Sequence, residues 1–275
     1  MRRGISAELL VLRKRSSSWI LLAIWAALTL VFAYVVPYVT YLNGSDEEAL
    51  AEVLPGDLVA NLVAGFPFFG GVLALMLGVL AVGSEYGWGT LKTLLVQRPG
   101  RLGVFGAKLI ALALALVPFV LVAFGLGTLA SLAIAWREGA AVDWPSAWLI
   151  LRGLGAGWLV LAVWAALGVM LAVLSRGTAL AVGVGILYAF VIEGLLSALA
   201  SQVDAVDGIV EFFIRANGYS LMTPLGLLPD DASGNGPGSF SGPFVGGGQA
   251  LLVLSVYLGG FILVAASVLR RRDVV

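Results

Sequence analysis

Cysteine and histidine are both absent from this chain, and charged residues make up only 12% of it. The absence of cysteine excludes disulfides and thiol catalysis, and the absence of both residue types excludes Cys/His zinc sites and haem ligation by histidine. The most frequent general base of enzymes is missing too. Sixteen acidic and sixteen basic side chains are too few to hydrate the surface of 275 residues. The composition therefore predicts that most of the surface faces lipid.

Long apolar stretches make up most of the sequence, which is 60% hydrophobic with a mean hydropathy of +1.03. A transmembrane helix needs about 20 mainly apolar residues. Six stretches qualify: Trp19–Val39, Leu58–Gly83, Phe105–Ala135, Trp148–Leu174, Thr178–Leu199 and Gln249–Leu269. The third is long enough to tilt or to contain an interfacial turn. The first is too long for a cleaved signal peptide and lacks a clean cleavage site. We predict an all-α integral membrane protein of six transmembrane helices, one domain over 1–275.

The distribution of basic residues predicts the orientation, because cytoplasmic loops are enriched in Lys and Arg. Only Arg137, Arg152 and Arg215 fall on the outer side when the N-terminus is placed inside. The others lie at inner ends or loops: Arg2, Arg3, Arg13, Lys14, Arg15, Lys92, Arg98, Arg101, Lys108, Arg176, Arg270, Arg271 and Arg272. We therefore expect a multi-pass protein of the cell (plasma) membrane with both termini in the cytoplasm.

The N-terminal segment, residues 1–18, is basic and carries Ile5, Leu9 and Leu12 at helical spacing. Such a segment can lie flat at the inner membrane interface, with its apolar side in lipid and its bases toward anionic headgroups. We predict an interfacial helix here. The alternative is that these bases only set the topology.

The loop between spans two and three, residues 84–104, has the most informative local pattern. Gly87 and Gly89 break the incoming helix, and Pro99-Gly100 can end a short helix running from about Thr90 to Arg98. Leucines fall on one side of that helix and polar residues on the other. A short amphipathic helix held between two spans suits docking to a soluble partner, and an ordinary interfacial turn is the alternative.

The same loop resembles the pattern of ABC-2 type permeases, the membrane subunits of ATP-binding cassette exporters. The resemblance rests on an acid, a Gly-Thr pair, an apolar stretch, a proline, a base and a lysine opening the third span: Glu85, Gly89-Thr90, Leu94-Leu95, Arg98-Pro99, Arg101 and Lys108. Gly100 departs from it, since many relatives have Val or Ile there. The resemblance implies a type V exporter-like domain in which the loop sits in a groove of the ATPase subunit. The residues implied for this coupling are Glu85, Thr90, Leu91, Lys92, Arg98 and Arg101, with Glu85 also free to pair with a nearby base.

The partners follow from the resemblance and from one missing motif. No G-x-x-x-x-G-K-[ST] occurs in the sequence. We therefore expect a permease without an ATPase site or cofactor of its own, with ATP and Mg bound by a separate ATP-binding subunit. A second permease chain, identical or different, and membrane lipids are the other expected partners. Nucleic-acid binding has no support, because the bases sit at the membrane edge. The expected cargo is hydrophobic or amphipathic.

The outer segment, residues 200–248, combines apolar periodicity with a flexible linker over 232–248. Val206, Ile209, Val210 and Phe213 recur at helical spacing, and an interrupted apolar stretch follows from Met222. The pattern predicts one or two short helices dipping into the outer interface. The resemblance implies that such helices cover the exit of the pathway as a lid. A hairpin resting on lipid is the alternative.

Glu193 is the ionisable residue of interest within the spans, since charges inside a membrane are functional candidates. It is a candidate for a gate or pathway role, together with Phe66, Phe69 and Phe213. The alternative for Glu193 is that it reaches the outer headgroups or pairs with a nearby arginine, Arg152 or Arg215.

Glycines flank the aromatic stretch around Phe66 and recur in span four as Gly153, Gly155 and Gly157. Small residues let helices approach closely in membranes, so packing is the favoured interpretation of both groups.

Two other functional classes are compatible with six spans. An ATPase-independent channel or secondary transporter usually has polar groups near the midplane, which this sequence almost lacks. An intramembrane enzyme has few suitable residues for catalysis, because histidine and cysteine are missing and the one lysine inside a predicted span, Lys108, lies near the inner end of that span.

Overall fold

The computed structural model describes residues 2–44, 47–87, 100–200, 208–223, 225 and 245–271. Every regular element within these ranges is helical. Six helical stretches are long and apolar enough to cross a membrane: span one Ser16–Gly44, span two Pro55–Tyr86, span three Leu102–Glu138, span four Ala147–Ser175, span five Thr178–Ser197 and span six Gly247–Arg271. All six predicted spans are confirmed as apolar helices of membrane-crossing length.

Span three is broken near its middle, as its length allowed. It consists of two helices, Arg101–Ala115 and Val117–Glu138, which meet at Leu116. Pro118 has no amide hydrogen to donate to the preceding turn, so the helix is interrupted at this point. The second helix ends at Gly139, whose φ of 66° is the left-handed conformation that glycine adopts most easily.

Spans one, two and five each contain a π-helical segment. The segments are Val31–Val35, Phe66–Gly70 and Leu187–Ile192. In span one the segment separates Ser16–Leu30 from Val36–Gly44, and in span five it separates Thr178–Ile186 from Glu193–Ala200. Span two runs through Pro55–Asp57, Leu58–Val63 and the π-segment to Gly71–Gly87. Wide turns of this kind are rare and recur at functional sites.

Spans two and four form the centre of the domain and approach at backbone distance. A Cβ added to Gly78 would lie 2.1 Å from the Ala165 carbonyl oxygen, and one added to Gly168 would lie 2.2 Å from that of Leu75. Glycine is therefore required at both positions.

The glycines predicted to pack in span four behave differently from one another. A Cβ on Gly153 would meet Val59 at 2.8 Å, and one on Gly157 would meet Phe66 at 2.9 Å. Close packing is thus confirmed for these two. It is wrong for Gly155, beside which there is open space.

The N-terminal helix, Arg2–Lys14, packs along the first half of span three. Its apolar side contacts the protein rather than lipid, since Leu12 is buried and Leu9 packs against the core. Leu10 and Val11 are the exposed apolar residues of this helix. The expectation that the Leu9 and Leu12 side lies in lipid is therefore wrong.

The end of the molecule that the basic residues predict to be the outer side carries a short helix, Glu47–Val53, and a second one, Ile214–Met222, which we call the re-entrant helix. All nine residues of the re-entrant helix are buried, and it packs against span six, span four and the π-segment of span two. The sequence predicts one or two short helices here, from residues 206–213 and from the stretch after Met222, but the helix of the structure lies between these two stretches. It is enclosed by the spans instead of resting at the interface. Val206 and most of the stretch after Met222 lie outside the described residues.

Candidate functional site

Three helices meet at one lysine beside the segment proposed to couple to a partner. The Lys108 ammonium lies 2.5 Å from Glu85 Oε1 and 2.8 Å from Glu8 Oε2. Lys108 and Glu85 are both buried. Glu85 ends span two, Lys108 belongs to the first half of span three, and Glu8 lies on the N-terminal helix. A buried ammonium shared by two carboxylates holds these three elements together, because losing one partner leaves the others uncompensated.

Arg15 adds a second connection at the same level. It occupies the break between the N-terminal helix and span one, and its guanidinium donates to the Leu80 carbonyl and, at 2.6 Å, to Ser84 Oγ. The turn that starts span one is therefore fixed to span two. We call Glu8, Arg15, Ser84, Glu85 and Lys108 the inner charge cluster.

Of the predicted coupling residues, the inner charge cluster includes Glu85. Glu85 pairs with a nearby base as expected, and that base is Lys108. Arg101 begins the first helix of span three. Thr90, Leu91, Lys92 and Arg98 lie outside the described residues. Glu8 was missed by sequence reasoning, although it is the only acid among the many bases of residues 1–18.

A buried carboxylate holds the start of the re-entrant helix at the other end of the molecule. Glu193 Oε1 accepts hydrogen bonds from the backbone amides of Ile214, at 2.8 Å, and Arg215, at 3.4 Å. It also accepts one from the Tyr188 hydroxyl at 2.6 Å. A carboxylate at a helix N-terminus satisfies free amides and complements the positive end of the helix dipole. Glu193 is fully buried, so the expectation that it reaches the headgroups is wrong.

Aromatic side chains connect the three π-segments. Phe32 of span one stacks on Phe69 of span two with ring centroids 4.9 Å apart. Phe68 meets Phe69 edge to face at 5.1 Å and Phe190 of span five at 5.0 Å. The Arg215 guanidinium lies over the Phe68 ring, 5.0 Å from its centroid. Contacts of this kind are favourable, and here they join spans one, two and five to the re-entrant helix.

The other predicted gate residues occupy different surroundings. Phe66 is fully buried and meets Trp25 edge to face at 5.2 Å, so it belongs to the core between spans one, two and four. Phe69 is only half-buried. Phe213 is buried and immediately precedes the re-entrant helix.

Polar contacts fix the rest of the re-entrant helix. The Tyr219 hydroxyl donates to the Ala64 carbonyl at 3.0 Å, and Ser220 Oγ accepts from the Val245 amide at 3.0 Å. Asn217 Nδ2 donates to the Glu211 and Phe213 carbonyls, each at 2.8 Å. The sequence did not predict this helix, because a stretch containing Arg, Asn, Tyr and Ser lacks the apolar composition typical of a buried helix. We call Glu193, Tyr188, Phe68, Phe69 and the re-entrant helix the outer cluster.

Neither cluster contains a donor set for a metal. Over the described ranges, no group of three or more His, Cys, Asp or Glu side chains could hold a metal ion. The two clusters instead fix helices to one another at opposite ends of the spans.

One family comparison covers both the inner charge cluster and most of the spans. The model described as ABC-2 family transporter protein matches residues 4–192, which is more than half of the chain. No curated protein matches the chain. The matched region contains Glu8, Glu85 and Lys108, and it ends just before Glu193 and the re-entrant helix. ABC-2 proteins are membrane subunits of ABC transporters, do not themselves carry the ATPase site and normally partner an ATP-binding subunit. The chain belongs to this ABC-2 family and is a multi-pass permease subunit of an ABC transporter.

Proposed function

We propose that this permease exports a hydrophobic or amphipathic substrate, driven by ATP that a separate subunit hydrolyses. The ATPase subunit would dock on residues 84–104, with Thr90, Leu91, Lys92 and Arg98 as contacts. The single observation that supports this proposal best is the ion pair between Glu85 and Lys108, which ties together the two helices on either side of that segment.

The inner charge cluster supplies a route for the movement. A push on the segment between Glu85 and Lys108 reaches spans two and three together, because the ion pair prevents them from separating freely. The same push reaches the N-terminal helix through Glu8 and the start of span one through Arg15. Nucleotide-driven closure of the ATPase subunits would therefore move four elements as one body: the N-terminal helix, the start of span one, and the ends of spans two and three that carry Glu85 and Lys108.

In a type V exporter-like arrangement, this movement would open the substrate path at the outer cluster. The re-entrant helix acts as the lid, and Glu193 anchors its first turn to span five. Phe68 and Phe69 lie between the π-segments, so a shift of span two changes their contacts with spans one and five. These rings provide an apolar surface suited to an apolar cargo.

A second permease chain completes the proposed complex, with both termini of each chain in the cytoplasm. Spans one, five and six are the least buried of the six, whereas spans two and four are largely enclosed. The exposed apolar faces of spans one, five and six would contact lipid and the second permease chain, and a homodimer is the simplest such assembly.

The test is purification of the tagged protein from native membranes in mild detergent, followed by identification of co-purifying chains and an ATPase assay. We expect a stoichiometric partner with a P-loop. The double variant Lys92→Gln/Arg98→Gln should lose most of the partner or of its turnover. The matched control, Arg270→Gln/Arg271→Gln, removes two positive charges from the inner end of span six and should retain both.

A chain that purifies alone, without ATPase activity, would contradict the proposal and favour an ATPase-independent channel or secondary transporter. Equal loss in the two double variants would also contradict it, because the docking would then depend on general charge and not on residues 84–104.

A further inference from the structure

A cleft of about 300 Å³ opens where the N-terminal helix turns into span one. It lies among four elements, the N-terminal helix and spans one, two and three, beside the break in span three. Its lining residues are Leu9, Leu12, Arg13, Ser18, Trp19, Leu22, Leu77, Leu114, Ala115, Pro118 and Phe119. The volume is at the lower end of the range of about 300–1,000 Å³ typical of ligand sites.

The cleft is apolar inside and positively charged at its mouth. Leu77, Ala115 and Phe119 line it within the spans, while Arg13 is exposed at the end of the N-terminal helix. Leu77 lies eight residues before Glu85 on span two, which corresponds to about 12 Å of helix. An apolar slot beside a basic residue suits an acyl chain that carries a charged headgroup.

Trp19 marks the level of the mouth in the membrane. Its side chain is 57% exposed, and its indole nitrogen donates to the Arg13 carbonyl oxygen at 2.7 Å. Tryptophan is enriched at the level of the lipid headgroups, where one part of the ring is apolar and the other is polar. The same hydrogen bond fixes the turn that holds Arg13 beside the cleft.

Ser18 gives the cleft a polar group without a partner. Its Oγ is buried and makes no hydrogen bond with the protein. Ser18 and Arg13 line the same cleft, so its polar groups lie on the side of the N-terminal helix and the start of span one.

We propose that this cleft binds one anionic phospholipid of the inner leaflet, with an acyl chain among Leu77, Ala115 and Phe119 and the phosphate beside Arg13. The charge at the mouth favours an anionic headgroup over a zwitterionic one. The lipid would be a resident ligand that connects the N-terminal helix to spans two and three, distinct from the exported cargo. The proposal does not depend on ATPase docking.

The test is native mass spectrometry of the full-length protein in mild detergent, titrated separately with phosphatidylglycerol and phosphatidylcholine. We expect one saturable phosphatidylglycerol per chain and clearly weaker phosphatidylcholine binding. Arg13→Gln should weaken phosphatidylglycerol binding about fivefold and phosphatidylcholine binding by less, because the choline ammonium already offsets the charge of its phosphate. The matched control Arg176→Gln, which removes an exposed arginine from the inner loop between spans four and five, should bind as the unmodified chain does.

A second pair of variants tests the acyl-chain part of the cleft. Ala115→Trp fills the slot and should reduce the binding of both lipids, whereas Leu121→Trp places the same side chain at an exposed position on span three and should not. Equal binding of the two lipids, or equal loss in Arg13→Gln and Arg176→Gln, would overturn the proposal. Saturable phosphatidylglycerol binding that Ala115→Trp leaves intact would overturn it as well.

Discussion

The inner charge cluster and the outer cluster both connect helices, but they do so with different chemistry. At the inner end, charged side chains pair across helices: Lys108 binds Glu85 and Glu8. At the outer end, a single carboxylate, Glu193, binds backbone amides, and aromatic rings fill the space between π-segments. Ion pairs hold two elements at a definite separation, whereas stacked rings can slide over each other. The difference suits an inner end that moves as one body and an outer end that rearranges.

The largest effect is expected for Glu193→Ala. The change leaves the Ile214 and Arg215 amides and the Tyr188 hydroxyl without their acceptor in a buried site, and the free energy of unfolding should fall by about 4 kcal/mol. A titration with denaturing detergent measures this free energy of unfolding. Glu138→Ala is the control, because Glu138 also accepts from tyrosines, Tyr38 and Tyr41, but lies at the solvated outer end of span three. A similar loss in both variants would show that Glu193 is not a special anchor.

Lys108→Met should have the next largest effect, because Glu85 and Glu8 are then left close together without a shared cation. We expect a loss of about 3 kcal/mol in the same titration. The double variant Glu85→Gln/Lys108→Met removes one of the two carboxylates and should recover part of that loss. Strictly additive losses would contradict the pairing as an energetic unit.

Arg15→Gln separates the turn at the start of span one from span two. Two hydrogen bonds to Leu80 and Ser84 are lost, which should cost about 1–2 kcal/mol. Lys14→Gln, one residue earlier and exposed, provides the matched control and should change stability little. If the two variants are equally stable, the Arg15 contacts contribute nothing to the inner charge cluster.

Phe69→Leu should have the smallest effect on stability, about 1 kcal/mol, because only ring contacts with Phe32 and Phe68 are lost. Phe261→Leu is the matched control, because Phe261 is also half-buried and stacks on Tyr257 with ring centroids 5.4 Å apart. The two variants should differ in function: substrate transport by the assembled complex falls with Phe69→Leu and not with Phe261→Leu. Equal transport in the two variants would contradict a role for Phe69 in the substrate pathway.

The sequence predicted the architecture well where a feature depends only on the residues along one stretch of the chain. Apolar length predicts the six spans, and the acid before the loop and Lys108 after it already belonged to the pattern that resembles ABC-2 permeases. The pairing of Glu8 with Lys108 depends on how the N-terminal helix turns back along span three. That direction is set by the Arg15–Ser84 contact and the Trp19–Arg13 hydrogen bond, which join residues from different elements or across a turn.

The outer cluster was harder to predict, because its stability comes from burial of polar groups. Arg215, Asn217 and Ser220 lower the hydropathy of the re-entrant helix, yet each is buried and contacts a neighbouring element or its own helix turn. The wide turns at Phe66–Gly70 and Leu187–Ile192 also shift the phase of the following residues. Reaching the headgroups was one alternative for Glu193 at the sequence level, and the structure places its carboxylate on the first turn of the re-entrant helix.

The coupling of the inner charge cluster to the outer cluster is tested most directly by ATP-dependent labelling of one outer cysteine. The chain has no cysteine, so Ile209→Cys, an exposed position before the re-entrant helix, introduces a unique thiol. In the purified complex with its ATPase partner, we predict that ATP changes the maleimide labelling rate at this thiol. Adding Lys108→Met should abolish that change while the partner still co-purifies. An undiminished ATP-dependent change in Lys108→Met would contradict the account.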